Sequence, residues 1–388
     1  MPILSLVIPT RNRTFYLSDC VRTALENTKD TEIVICDNSD TDEFGQLLGS
    51  LGGSHRVKYL YSAEKLNVIE NFERGLAACS GDFIMYIGDD DSIGPDAESV
   101  AQWAKDSGVD CVHSYQHAFI ASYFWPGVKS KYFGNLYSAS MFINNFTGER
   151  TIANPIDGLK KAANLLGGGL GTLPRIYHGM VSRELVSEIQ TKYGALFGGV
   201  SPDIYSAALI AANCKRAAHV DLPFVIPGAS PKSAAGQGAA RTDRGGLRAS
   251  DHISRFGSAL EWDPRIPEFN APHTVWAYSL CQALKKLGLP DVQPSFMRLY
   301  ACCFLYYRDH WRDTGTALRQ VVKSPGLSTA PSLLKNIILE LGDQMTRVSN
   351  KVKVLTGIKK QLHIRELMSI SAAYGALATH VQSKDIRK

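Results

Sequence analysis

Three carboxylates stand side by side in this chain, Asp89, Asp90 and Asp91, directly after the apolar run Phe83, Ile84, Met85, Tyr86, Ile87. Three like charges at one point repel one another, so a chain that sets them at the mouth of a buried strand needs a counter-charge there. A divalent cation carrying phosphate supplies it most simply. Magnesium and manganese prefer hard oxygen ligands and take one or two protein carboxylates, completing their shell with phosphate oxygens and water. The competing reading is an acidic turn that only caps a strand, since acidic clusters are commonly solvated. Two more polar groups follow strand-like runs: Thr10 to Arg13 after Leu4–Ile8, and Asp37 to Asp40 after Glu32–Cys36. A structural cap would not need all three.

The elements that must position these groups are legible in the pattern. Short apolar runs bounded by turn residues read as strands buried on both faces, here Leu4–Ile8, Glu32–Cys36, Val57–Tyr61 and the run after Ser80-Gly81-Asp82. Phe15, Leu17, Cys20, Val21, Ala24 and Leu25 recur at helical spacing, as do Val68, Phe72, Leu76 and Cys79. Strands alternating with helices predict an α/β, Rossmann-like fold with a doubly wound, mostly parallel sheet. In such a sheet the carboxyl ends of the strands lie along one edge, where ligands bind, so Thr10, Asp37 and Asp89 can converge although they are far apart in sequence.

The charge is unevenly distributed. The 388 residues carry a net +5, yet from Ala271 onward seventeen Lys and Arg face seven Asp and Glu. Such asymmetry suggests a terminal region that meets a negatively charged surface. Nucleic acid is not the expected partner, because the basic region lacks interleaved aromatics and any recognised motif. There is no leader-like start and no run of eighteen apolar residues, which places the chain in the cytoplasm as an expectation. The eight cysteines show no Cys-x-x-Cys spacing, so buried inert thiols are expected rather than zinc or disulfides.

The segments LSLVIPTRNR (Leu4 to Arg13), VICDNSD (Val34 to Asp40), LNVIENFERGLAACSGDF (Leu66 to Phe83) and YIGDDDSIGP (Tyr86 to Pro95) together resemble the inverting glycosyltransferase family 2, which has the GT-A fold. The resemblance implies a metal-dependent transfer, with inversion, of a sugar from a nucleotide-diphosphate donor, a UDP-sugar, to a hydroxyl of a glycan or lipid-linked glycan. It further implies a role in bacterial surface polysaccharide synthesis. Pro9, Thr10 and Arg11 would line the nucleotide pocket, Asp37 would accept a hydrogen bond from the base, and Asn67 would lie near the ribose or base. Asp89, Asp90 and Asp91 match the family's Asp-x-Asp motif for Mn2+ or Mg2+ and the donor diphosphate. Gly88 stands where the first Asp of the longer form would be, which leaves open whether Asp90 or Asp91 is the direct ligand.

Asp203 follows Gly198-Gly199-Val200-Ser201-Pro202 at the start of a helical run, Ile204 to Ala212. On its own it reads as an N-terminal charge favoured by the helix dipole, with Ser201 or Asp203 as the cap. The resemblance implies that it is the general base, although Pro202 precedes it where the family usually has Glu.

The expected organisation is a GT-A domain over 1–230, a flexible active-site loop over 228–250 and a helical, basic carboxyl-terminal region over 251–388. The loop is rich in Gly, Ala and Ser, and its Lys232, Arg241 and Arg244 could order over the diphosphate. His252 reads either as a further metal or phosphate contact or as a structural histidine. Gly167, Gly168, Gly169 and Gly171 mark a tight turn or a mobile acceptor-site wall. Tyr123, Phe124, Trp125, Tyr132, Phe133, Tyr137 and Phe142 read as packing aromatics or as sugar-stacking faces. Leu334, Ile338, Leu341, Met345, Val348, Val352 and Leu355 form a heptad seam. Its readings are packing on the catalytic domain, homo-oligomer formation, or peripheral contact with anionic lipid at the inner face of the cell membrane. Two rival functions share the fold. A sugar nucleotidyltransferase would want a glycine-rich, Lys- or Arg-bearing signature after the first strand, and Thr10 to Arg13 contains no glycine. A non-catalytic carbohydrate-binding or scaffold protein would not need Asp91 and Asp203 intact.

Overall fold

The structure, a computed structural model, describes residues 1–52, 54–114, 119–131, 134–240, 245–322, 329–355 and 360–383. The elements that build its centre are, in chain order, β1 (Leu4–Thr10), α1 (Thr14–Asn27), β2 (Thr31–Asp37), β3 (Val57–Tyr61), α2 (Val68–Ala78), β4 (Phe83–Tyr86), β5 (Cys111–His113), β6 (Arg150–Ala153), β7 (Gly179–Ser182), α3 (Pro202–Asn213) and β8 (Ala217–Val220). The strands form one eight-stranded sheet in the order β3-β2-β1-β4-β7-β5-β8-β6. β3, β2, β1 and β4 are mutually parallel. β7 lies antiparallel between β4 and β5, and β5 pairs in parallel with β8. The expected mostly parallel α/β sheet is therefore present, with β7 and β6 as its reversed strands.

Both faces of the sheet are covered at its centre, which is why β1, β2 and β4 are mostly apolar, whereas the edge strands β3 and β6 are partly exposed. β2 is buried at every position. Leu4, Leu6 and Ile8 meet Ile33 and Ile35 in one core under the buried face of α1, whose Leu17, Cys20, Val21 and Ala24 recur at helical spacing. Val7, Val34, Cys36 and Tyr86 enter the opposite core, closed by Phe72 and Leu76 of α2 and by α3. Each such side chain contributes about 1.5–3 kcal/mol by leaving water. Successive β1 residues thus point alternately into two cores, and the strand cannot slip by one residue without exchanging them.

A smaller four-stranded sheet stands beside the first, in the order Gly228–Ala229, Ala121–Phe124, Ser140–Asn144, Gln361–Ile364. Tyr123, Trp125, Met141 and Ile226 form its core. Here the packing reading of the aromatics holds: Tyr123 and Trp125 are fully buried, while Phe124, Tyr137 and Phe142 meet one another in tilted and edge-to-face contacts. Tyr132 and Phe133 lie outside the described residues.

The carboxyl-terminal region includes the helices α4 (Pro272–Leu287), α5 (Phe296–Tyr306), α6 (Thr329–Leu355) and α7 (Ile370–Ser383). It is mostly helical, as expected, and contributes a strand as well. Gln361–Ile364 adds an antiparallel strand to Ser140–Asn144. α7 then packs Ile370, Ala373 and Leu377 into the small core, and its first free N–H groups, of Ile370 and Ser371, donate to Asp19 Oδ2 of α1 at 2.9 and 3.3 Å. A helix begun this way has its orphan donors satisfied and its positive end neutralised. Among the described residues, no helix is long and apolar enough to cross a membrane.

The stretch expected as a flexible loop also has structure. Gly228–Ala229 pairs with Ala121–Phe124, and Ala234–Ala240 is helical, as its alanines favour. Arg241 and Arg244 lie outside the described residues.

Candidate active site

The carboxyl ends of β1, β2 and β4 bring the expected residues to one edge. Thr10 and Asp37 are register partners, and Pro9 pairs with Cys36 beside them. Asp37 is buried, with Oδ1 accepting from the Ser39 N–H at 2.8 Å and Oδ2 from the Tyr59 hydroxyl at 2.9 Å. Asn38 donates to the Ser62 and Glu64 carbonyls and accepts from Arg255 Nη1 at 2.7 Å, which also reaches the Leu66 carbonyl at 2.8 Å. Arg11 turns outward to Asp251, on the same short segment as Arg255. Residues 251–255 are thus pinned across the ends of β1 and β2.

The three carboxylates are all buried, at 2–4% exposure. Much of their neutralisation comes from the protein itself, a role the sequence reading had given to a metal. Arg13 Nη1 stands 3.0 Å from Asp89 Oδ1, and Nη2 stands 2.9 Å from Asp90 Oδ2. Thr10 Oγ1 donates to Asp89 Oδ2 at 2.6 Å, and the Ser230 N–H donates to Asp90 Oδ2 at 2.9 Å. Both oxygens of Asp91 accept: its Oδ2 from the Gly88 N–H and from His178 Nε2, both at 2.6 Å, and its Oδ1 from the Gly228 N–H at 2.6 Å. Burial pushes Asp91 up, but His178 and the two N–H groups outweigh it and hold the carboxyl below its usual range. For Asp89 the balance is reversed. Burial exceeds the pull of Arg13, and with Asp90 alongside the carboxyl rises to about 7.

Two carboxylate oxygens remain without a hydrogen-bond donor among the described residues. Asp89 Oδ1 is sealed from solvent and meets Arg13 at an angle that makes an ion pair but no hydrogen bond. Asp90 Oδ1 is the other. Asp91, expected as a metal ligand, has hydrogen bonds on both of its oxygens. Among the described residues, no three His, Cys, Asp or Glu groups are arranged to hold a metal by themselves.

The loop 227–230 forms the second wall. It approaches so closely that a Cβ on Gly228 would sit 1.8 Å from the Asp90 carbonyl oxygen. That carbonyl also accepts from Trp125 Nε1 at 2.8 Å. On the third side the chain reverses into β7 at His178, whose φ of +59° is left-handed. This turn aims the imidazole at Asp91. Left-handed backbone is uncommon outside glycine, with His among the residues that adopt it most readily.

Asp203 opens α3. Its Oδ1 accepts from the Ser201 hydroxyl at 2.5 Å and from the Ile204 N–H at 2.9 Å, while no hydrogen bond reaches Oδ2 among the described residues. The preceding turn is fastened by α4, where Ser279 Oγ accepts from the Val200 and Ser201 N–H groups at 3.1 and 2.9 Å. Tyr177 links Asp203 to the triplet: burial raises its phenol well above the ordinary value, and the fields of Asp91, Asp90, Asp203 and Asp89 add to this. His252 Nε2 is engaged with the Val200 carbonyl at 2.6 Å, beside the Asp203 turn rather than on the triplet. Asn67 is the N-cap of α2: its Oδ1 accepts from the Ile69 and Glu70 N–H groups, and Glu70 returns a bond to its N–H. Lys232 is exposed in the turn before Ala234–Ala240.

Arg13, His178, Ser230 and Arg255 are the residues the sequence reading did not single out. Arg13 lay inside the basic turn already noted. The contacts of the other three depend on chain reversals far away in sequence.

Residues 5–157 match glycosyl transferase family 2. It is similar to a chondroitin synthase of Escherichia coli, 30% identical over 118 residues, which are 29% of this chain and 17% of that protein. It is similar also to the GalNAc(5)-diNAcBac-PP-undecaprenol beta-1,3-glucosyltransferase of Campylobacter jejuni, 29% identical over 122 residues, 31% of this chain and 38% of that one. The alignments thus span well under half the length of these relatives. Among solved structures, S. aureus TarS 1-349 in complex with UDP-GlcNAc aligns with a TM-score of 0.47 and 12% identity, over 86% of this chain and 79% of that one. The mannosyltransferase PcManGT of Pyrobaculum calidifontis, in complex with GDP-Man and Mn2+, aligns with a TM-score of 0.42 and 14% identity, over 100% of this chain and 88% of that one.

Proposed function

We propose that this chain is a metal-dependent, inverting glycosyltransferase that moves a sugar from a UDP-sugar to a hydroxyl of a glycan or lipid-linked glycan, in the assembly of a bacterial surface polysaccharide. The observation that carries the reading is the buried, unsatisfied Asp89 Oδ1, beside Asp90, at a strand edge that also presents Thr10 and Asp37. Two carboxylates suit an ion that brings phosphate oxygens of its own, and Mn2+ or Mg2+ held there would neutralise the charge that gathers on the departing diphosphate. The role of direct ligand falls to Asp89 and Asp90, and Asp91 keeps their loop in place. Asp37, Pro9, Thr10 and Arg11 form the nucleoside pocket, with Asn67 fixing its rim through α2. Lys232 approaches the diphosphate from the opposite wall.

Asp203 is the base. With Oδ1 held by Ser201 and the Ile204 N–H, Oδ2 is free to take the proton of an acceptor hydroxyl as it attacks the anomeric carbon. Attack from the face opposite the leaving group inverts that carbon. Residues 1–230 are the catalytic part. An acceptor carried on lipid would bring the enzyme to the cytoplasmic face of a membrane, and the cations after Ala271 suit that surface. The named activities of the relatives, a chondroitin synthase and an undecaprenol-linked glucosyltransferase, support the substrate class.

The test is a screen of nucleotide sugars for thermal stabilisation and turnover, with Mn2+ and with EDTA. The right donor is expected to raise the melting temperature only with the metal, and D89N with D90N to abolish that shift. D203N is expected to lower turnover by about 10²–10⁴-fold while donor binding survives. Equal donor binding in EDTA and in the D89N/D90N variant would sink the metal assignment, and unchanged turnover of D203N would sink the base.

A further inference from the structure

The helix α6 packs on the body through Leu333 and a set of polar groups, and leaves an apolar seam in water. Arg298 of α5 reaches Glu340 and Asp343, the latter at 2.5 Å, and its Nη1 meets the Asn336 carbonyl at 3.5 Å. The Tyr306 hydroxyl donates to Glu340 and accepts from Gln344. Glu340 is 2% exposed, so this face is fixed and α6 cannot roll. On another face Leu334, Ile338, Leu341, Met345 and Val348 are about half exposed or more, Met345 reaching 75%. From Met345 to Asn350 every residue is exposed. A helical end of this kind with no packing partner is marginal in water.

The spacing of these five, four then three, repeats every 3.5 residues, with the half-exposed Leu339 standing off the seam, and in the sequence it runs on to Val352 and Leu355. That is the period of a seam that meets another helix, narrower than the broad apolar face of a helix lying in lipid. In heptad terms Ile338 and Met345 occupy a, and Leu334, Leu341 and Val348 occupy d. A β-branched residue at a with Leu at d favours two parallel strands. The flanking positions fit a second copy of the same helix. In a parallel pair Ile337 would face Gly342, and beside Ser349 stands the neutral Gln344, held by Tyr306, so no like charges are opposed. An anionic membrane would instead want cations along both sides. Between Leu334 and Val348 the flanks hold only Lys335, and Arg347 is turned to Glu340 at 3.6 Å.

We infer that this face of α6 is a dimerisation surface, pairing in parallel with α6 of a second copy of this chain. The test is sedimentation of the full chain between about 1 and 100 μM, the range where a seam of this size should associate. Wild type is expected to pass from monomer to dimer mass. L341E/M345E, changed only at exposed positions, is expected to stay monomeric with an unchanged melting temperature. M345C is expected to cross-link between chains on mild oxidation, because a positions face each other across a parallel pair, whereas N350C on the outer face is not. Monomer mass throughout for wild type would overturn the inference. So would a dimer that persists in L341E/M345E, or sedimentation with phosphatidylglycerol vesicles that the same double variant abolishes while wild type stays monomeric.

Discussion

Arg13 forks between two carboxylates, with Nη1 3.0 Å from Asp89 Oδ1 and Nη2 2.9 Å from Asp90. The carboxylate cluster is thus held in part by an internal cation, with Asp89 still left short of a hydrogen bond. A buried ion pair that loses one partner leaves a charge uncompensated, typically at about 3–5 kcal/mol. R13M is expected to lower stability by an amount in that range. A divalent cation able to reach Asp89 and Asp90 should restore part of it, so Mn2+ is expected to raise the melting temperature of R13M more than that of wild type. Equal shifts, measured by calorimetry with and without EDTA, would show that the cation does not act where Arg13 does.

His178 combines a left-handed backbone with a 2.6 Å bond to Asp91. The two contributions separate by substitution. H178N loses the imidazole but keeps a residue that tolerates positive φ, whereas H178V adds a β-branched side chain to the same backbone. Urea denaturation is expected to place H178V below H178N by about 1–2 kcal/mol, the usual cost of left-handed backbone. Equal midpoints would mean that the turn at His178 relaxes freely.

Gly228 has no room for a methyl group, because its Cβ would lie 1.8 Å from the Asp90 carbonyl oxygen and 2.7 Å from its carbon. G228A must push the 227–230 wall away from the triplet, lengthening the Gly228 to Asp91 and Ser230 to Asp90 bonds together. A displacement near 1 Å at a reacting centre commonly costs about 100-fold in rate. G228A is expected to lose turnover on that scale while its far-ultraviolet circular dichroism stays native. Unimpaired turnover would show that the wall has no part in placing the carboxylates.

The sequence disclosed the strand edge because apolar runs end abruptly in charge there, as at Ile87 to Asp89 and Cys36 to Asp37. Those are local patterns, and two-sided burial of β1, β2 and β4 enforces them. What remained hidden depends on distant partners. An arginine in a polar turn carries no mark of the carboxylates that Arg13 meets, and His178 acquires its role only where the chain reverses into β7. The seam on α6 was visible as a period of 3.5. Its outward direction was not, because the buried Arg298 to Glu340 network decides which face packs, against the hydrophobic pattern. The strand Gln361–Ile364 is four residues long and exists only through pairing with Ser140–Asn144.

The opposite end of the sheet gives a pH-dependent prediction that is separate from catalysis. Glu32, 7% exposed at the start of β2, accepts from Ser5, from the Ser80 N–H and hydroxyl, and from the Gly81 N–H, and it pairs with Lys58 at 2.7 Å. Burial raises its carboxyl, but Lys58, Ser5 and Ser80 together pull it down from 4.5 to about 2. A carboxylate held lower in the folded chain than in the unfolded one stabilises the fold fully above the unfolded value. That stabilisation fades as the pH falls from about 4.5 to about 2, because the unfolded chain takes up the proton first. The contribution is at most about 3 kcal/mol at neutral pH. E32Q is expected to be less stable than wild type at pH 7, with the difference shrinking steadily between pH 4.5 and 2 in denaturant titrations. A gap that stays constant across that interval would show that Glu32 acts through its shape and hydrogen bonds rather than through its charge.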